Sequence, residues 1–303
     1  MPRFRVTFRA AFLAIVVAAL DAACERTTHT PAVDTTHAVS RPETTSRAPA
    51  PQSAWDRTRF GSVLLIAGDD PTTALAVFPD SGADTSLAGE STTLIGRNGD
   101  TEIARVQARS ESHGEACAGY PAWRVSTSGS VAPWVLGLVG ANLRPIRLDS
   151  LAALTHADST RLTAQATRLA SMLPTGGGED RFQGLPFAVR ALWWFAVPRG
   201  EVMVAGLLRQ VNQEAQPLEE RTMIVAEHDS ASTDWRTAYY ERSRGADETV
   251  EARDVVAAAY VGSGTEPLLV VARDYSDAAA YSLIERSANG GWRLIWTSPR
   301  VRC

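Results

Sequence analysis

Lysine is absent from this 303-residue chain, and all 30 basic side chains are arginine. A phosphate-binding P-loop needs a Gly-Lys-Ser/Thr ending, and Schiff-base and kinase chemistry need an amine, so those classes are excluded. Histidine is scarce, with five in all, and none sits in the His-Glu-x-x-His spacing of a helical zinc site. No Gly-x-Ser-x-Gly nucleophile elbow occurs, since Val261-Gly262-Ser263-Gly264 misses the pattern by one residue on each side. Excess positive charge is missing too. The formal charge is −4, and residues 55–303 hold 24 Arg against 30 acids, without the basic stripe of a nucleic-acid binder. No apolar run reaches the roughly 18 residues of a membrane-spanning helix. These absences argue against a cofactor, a nucleotide or a nucleic acid as ligand.

What is present begins with an address. Arg3, Arg5 and Arg9 precede Ala10–Leu20, an unbroken apolar run of eleven, which suits a signal-peptide core. The small residues Ala22 and Ala23 then precede Cys24. Together these residues resemble a bacterial lipoprotein signal spanning 1–23. The resemblance implies that the Cys24 thiol is acylated and becomes the mature N-terminus. Asp21 stands where that pattern usually carries an apolar residue, and ordinary secretion, leaving Cys24 a thiol, is the alternative. Residues 25–54 hold seven Thr, three Ser, four Pro and five Ala, with no aromatic residue. Nothing there offsets the entropy of ordering the segment, so 24–54 is expected to be a disordered tether reaching about 30 Å. His29 and His37, isolated within it, are read as polar residues and not as metal ligands. The expected location is the bacterial cell envelope, lipid-anchored to a membrane, or secreted or periplasmic on the alternative.

If Cys24 carries lipid, Cys117 and Cys303 remain as an even pair in an oxidising compartment, and a disulfide between them is expected. The chain-entropy treatment gives such a long loop about 5 kcal/mol. Two free thiols are the alternative. His113 with Cys117 is too small a ligand set for zinc, which takes four.

Residues 55–303 read as mainly β. Val63–Ile66 and Thr73–Phe78 flank Gly68-Asp69-Asp70-Pro71 as one hairpin. Thr93–Gly96 and Glu102–Ala108 flank Asn98-Gly99, a dipeptide suited to the left-handed angles of a tight turn. Further strands are expected at 122–126, 134–139, 192–197, 202–209, 222–228, 237–243, 255–261, 268–273, 281–286 and 292–297, the last two joined at Asn289-Gly290-Gly291. One amphipathic helix is expected over 159–173: Leu162, Ala166, Leu169, Ala170 and Leu173 form a stripe, Asp158-Ser159 suit its N-cap, and Pro174 stops it. The glycine-rich loop around Gly176-Gly177-Gly178-Glu179-Asp180 divides the domain into halves, 55–175 and 182–303. Those glycines follow a helix instead of opening one, so they do not cradle a phosphate.

The C-terminal half repeats itself. Met223–Ala226 leads to Tyr239-Tyr240-Glu241-Arg242-Ser243, and 44 to 46 residues later Leu269–Ala272 leads to Leu283-Ile284-Glu285-Arg286-Ser287. Such a period predicts antiparallel meanders in a propeller-like arrangement, with a β-sandwich as the alternative. The segment Asp254–Ser298 resembles FG-GAP or VCBS repeats: a strand, a glycine-containing loop, an apolar strand and a hairpin ending in Trp292 and Trp296. Members carry an aspartate-rich calcium loop. The equivalent stretch here, Gly262–Glu266, lacks the paired aspartates, so calcium is not implied.

Carboxylates gather at the expected turns: Asp69-Asp70, Glu179-Asp180, Asp229 with Asp234, Asp274 with Asp277, and Asp247-Glu248 with Glu251. Asp bonds its own backbone in turns, so these acids are first read as turn formers. Trp193-Trp194 must point to opposite faces of a strand, so at most one of them serves the same core; with Arg190 they are a candidate binding surface. The reading is an envelope-anchored, non-enzymatic binding or scaffold domain. Its partners would be a membrane through the N-terminal lipid, and an envelope protein or a glycan. The alternative is an exported glycan-acting hydrolase using the turn carboxylates.

Overall fold

A computed structural model describes residues 54–68, 70–80, 86–110, 119–127, 133–174, 181–211, 217–232, 234–246, 249–288 and 290–302. The signal segment, nearly all of the tether, Cys24, Cys117, Cys303, His29, His37, His113, Glu179-Asp180 and Asp247-Glu248 lie outside these residues.

A short helix α1 (Arg57–Phe60) is capped by Asp56, whose carboxylate accepts the Thr58 and Arg59 N–H groups. Six strands follow: β1 (Val63–Ala67), β2 (Thr73–Val77), β3 (Ser91–Ile95), β4 (Thr101–Arg109), β5 (Ala122–Thr127) and β6 (Leu136–Val139). They close an antiparallel barrel in the order β1-β2-β5-β4-β3-β6. Burial follows from position. Val63-Leu64-Leu65-Ile66 is apolar throughout because Val63 and Leu65 fill the barrel while Leu64 and Ile66 press outward on the rest of the protein. On β4 only Ala104 and Val106 point inward, and Ile103 is 71% exposed, so that strand alternates. The Asn98-Gly99 hairpin forms between β3 and β4, with Gly99 at φ 90°.

Beyond the barrel come β7 (Leu143–Ile146), β8 (Asp149–Ser150), a 3-10 turn (Leu151–Ala153) and α2 (His156–Ser171). Then follow β9 (Ala188–Val197), β10 (Gly200–Val211), β11 (Leu218–Asp229), β12 (Trp235–Ala246), β13 (Ala252–Val261), β14 (Leu268–Tyr275), β15 (Ala278–Arg286), β16 (Trp292–Thr297) and β17 (Val301–Arg302). Sheet 1 runs β12-β11-β10-β9-β8; sheet 2 runs β16-β15-β14-β13-β7, with β17 on β15. All recorded pairings are antiparallel. The two copies of the repeat, β10-β11-β12 and β13-β14-β15, face each other as a sandwich rather than standing side by side as propeller blades. Val204, Met223 and Val225 of sheet 1 share one apolar cluster with Val255, Leu269, Val271 and Ile284 of sheet 2.

The layers run α2, sheet 1, sheet 2, barrel. Sheet 1 buries Met203, Ala205, Ile224 and Ala226 under α2, which contributes Leu162, Ala166, Leu169 and Ala170. Sheet 2 buries Ala257, Val270, Leu283 and Trp296 against the outer face of the barrel. The helix begins three residues earlier than its sequence suggests. Thr155, not Asp158-Ser159, is the N-cap: its hydroxyl accepts the Asp158 N–H at 3.2 Å and donates to the Asp158 carboxylate at 2.7 Å. Trp55 marks where the described fold starts, packing edge-on against Trp296 at 4.6 Å and donating its indole N–H to the Gly61 carbonyl.

Candidate functional site

Four register shifts interrupt the sandwich pairings, and two of them shape the site. In the β9–β10 pairing Ala191 faces Gly206 and Val189 faces Leu207, so Arg190 is the extra residue of β9. A bulge re-aims the side chain it carries. Arg190 consequently lines a cleft of about 340 Å³ between the inner face of sheet 1 and the start of β13. Leu208, Met223 and Ala252 form its apolar wall; Glu219, Arg221 and Arg253 add polar groups. Gly206 also lines it, and a methyl there would meet nothing closer than 3.8 Å, so only a larger side chain would fill the space. The volume lies at the low end of small-molecule sites.

Charge in the cleft is largely closed on itself. The Arg221 Nε donates to Glu219 at 2.8 Å, and Gln210 donates to the other Glu219 oxygen. Arg253 belongs to a buried ring of four: Glu241 and Glu251 each bridge Arg253 and Arg273, with four N···O contacts of 2.6 to 2.7 Å. The Arg253–Glu241 contact, at 2.6 Å, is an ion pair off the hydrogen-bond line. Ser243 accepts from Arg253, Ser282 accepts from Arg273, and Tyr239 donates to Glu241. Burial alone pushes the Glu241 carboxyl up, but Arg273 and Arg253 outweigh it and hold it below the usual carboxylate range. Burial, then the Glu241 charge, pushes the Tyr239 phenol well up, so it stays neutral. Arg190 differs: it is exposed and, among the described residues, has no ion-pair partner.

The second bulge lies between Val255 and Ala257, with Val256 the extra residue. Arg97, from the barrel's β3–β4 turn, donates to the carbonyls of Val256 at 2.9 Å and Val255 at 3.1 Å. Its guanidinium also lies 4.8 Å over the Trp193 ring, and the Trp193 indole donates to Asp254 at 3.2 Å. Trp193 therefore belongs to the joint between barrel and sandwich, half-buried against the shared core. Trp194, its neighbour, points to the α2 side, with its indole nitrogen buried and unpartnered. Of the three residues in the sequence-derived surface, Arg190 alone lines the cleft.

Asp70 and Asp229 act as turn formers. Asp70 accepts the Thr72 N–H and hydroxyl, which hold its carboxyl below the usual range, and Asp229 accepts the Ala231 N–H. Asp234, Asp274 and Asp277 are exposed. Glu251 instead joins the buried ring. The Gly262-Ser263-Gly264 segment is the β13–β14 turn, its two glycine carbonyls held by Arg144. Among the described residues no three His, Cys, Asp or Glu side chains cluster as a metal site, and no helix is long and apolar enough to cross a membrane.

Sequence reasoning missed Gly206, Glu219, Arg221 and Arg253. For the three charged ones the signal is charge inside strands, as in Glu219-Glu220-Arg221 and Glu241-Arg242-Ser243, at positions where an apolar core residue is the default. No protein-family model, curated protein or solved structure matches the chain.

Proposed function

We propose that this chain is an exported, lipid-anchored, non-enzymatic binding domain whose ligand enters the cleft beside Arg190. The observation that carries the reading is an open cleft, shaped by a bulge and lined by a glycine, that presents a guanidinium with no ion-pair partner among the described residues. The remaining charge around it is closed into ion pairs. Glycan hydrolysis needs one protonated carboxyl facing a second carboxylate. Glu241 is held ionised by two guanidiniums, so it is not set up as a general acid, and Glu251 is in contact with the same two. The anchoring half of the proposal comes from residues 1–24 and the tether that follows.

Three measurements test it. Metabolic labelling with a fatty acid marks the protein, and Cys24→Ser abolishes the label; an unlabelled, membrane-free product replaces anchoring with secretion. Thermal-shift screening of the full chain against small molecules finds ligands whose effect is lost in Gly206→Leu. Turnover of chromogenic glycosides that disappears in Glu251→Gln would replace the binding reading with the hydrolase.

A further inference from the structure

We infer that the cleft takes a small monocarboxylate with an apolar body, its carboxylate on Arg190 and its body between Leu208, Met223 and Ala252. This rests on the binding reading above. Charge decides the class. The Glu219–Arg221 pair and the Glu241–Arg253–Glu251–Arg273 ring are each neutral, so among the described residues Arg190 leaves one uncompensated positive charge at the cleft. A single negative charge complements it. A phosphate dianion would bring a second charge close to the Glu219 carboxylate in the same wall. A guanidinium presents two parallel N–H groups, which match both oxygens of a carboxylate. The wall of Leu208, Met223 and Ala252 favours a ligand with an apolar body over a fully hydrophilic anion.

Geometry supports the same class. Gly206 lies across from the Arg190 bulge, and the space a side chain would fill there is part of the cleft. The ligand's body replaces that missing side chain. Arg190 is exposed and has no ion-pair partner among the described residues, so its replacement leaves every contact described for the fold in place.

The test is a calorimetric titration of the full-length protein with 4-phenylbutyrate, with its neutral amide, and with inorganic phosphate. Phenylbutyrate is expected to bind at least tenfold more tightly than the amide, the scale of one charge-assisted hydrogen bond. Arg190→Gln is expected to erase that difference, weakening the acid while leaving the amide unchanged. Gly206→Leu is expected to abolish both, and Gly206→Ala, whose methyl meets only ordinary contacts, to retain both. Thermal denaturation of each variant reports whether it is folded. Equal affinity for acid and amide, phosphate binding tighter than phenylbutyrate, or indifference to Arg190→Gln overturns the ligand class and leaves the binding reading standing. Failure of acid and amide alike also overturns it. If, in addition, no compound of any charge shows an effect sensitive to Gly206→Leu, the binding reading falls as well.

Discussion

Replacing Glu251 by glutamine tests the ionic ring that joins the two sheets beside the cleft. Glu251 Oε1 accepts from Arg273 Nη1 and Oε2 from Arg253 Nη2, both at 2.7 Å. Its side chain is 13% exposed, and those of Arg253 and Arg273 are 7% and 8% exposed. Glutamine keeps the shape and one acceptor but removes the charge, so both guanidiniums must then share Glu241. Charge-assisted hydrogen bonds contribute roughly 1.5–3 kcal/mol each. Breaking one side of a buried pair costs about 3–5 kcal/mol, because a charge is left uncompensated. Since glutamine retains one bond, a loss of about 3 kcal/mol is expected. Removing the stranded charge as well, with Arg253→Met, recovers part of the loss, so the double variant falls short of additivity by more than about 1 kcal/mol. Urea denaturation followed by circular dichroism gives the free energies, with unchanged m-values showing that the two-state comparison holds. A Glu251→Gln loss below about 1 kcal/mol, or an additive double variant, would refute the idea that this ring holds the sheets together.

Other outcomes follow from the same contacts. Arg97→Ala, which removes both bonds to the bulge carbonyls and the contact with Trp193, is expected to cost about 2 kcal/mol, the lower range reflecting a half-exposed side chain. Arg97→Lys recovers less than half, because an ammonium lacks the planar fork; wild-type stability for the lysine variant would contradict this. Acid sensitivity reports Glu241, whose folded value lies below its ordinary 4.5. Its contribution is fully present above about pH 4.5 and is lost as pH falls through the lower folded value. Glu241→Gln should therefore flatten the fall of the urea midpoint in acid, and an unchanged slope would refute the assignment. For the cysteines, Gly119 lies so close to Val301 that a β-carbon would overlap its methyl at 1.8 Å. That contact lies two residues from Cys117 and two from Cys303 in the chain. Protein unfolded without reductant is expected to show no titratable thiol at either position, and Gly119→Val to lower stability; two free thiols would remove the disulfide.

The amino-acid sequence by itself determined the local elements. Apolar alternation and Asn98-Gly99 placed the β3–β4 hairpin, and the spacing of Leu162, Ala166 and Leu169 placed the face of α2, because both depend on neighbours within a few residues. The repeat likewise exposed the equivalence of β10-β11-β12 and β13-β14-β15. Short edge strands escaped notice: β7 contains Pro145, tolerated at the margin of sheet 2, and β17 spans two residues. Only the tertiary structure decided how the meanders pack. A strand buried on both faces has the same composition in a barrel wall, a sandwich or a propeller blade. It also decided which charges meet. Glu241 of sheet 1 reaches Arg253 and Arg273 of sheet 2 across the gap between them, Glu251 closes the ring from the residue before β13, and Arg190 turns into the cleft because β9 carries one residue more than β10. Such a mismatch belongs to the pairing of two strands, so neither strand's own residues record it.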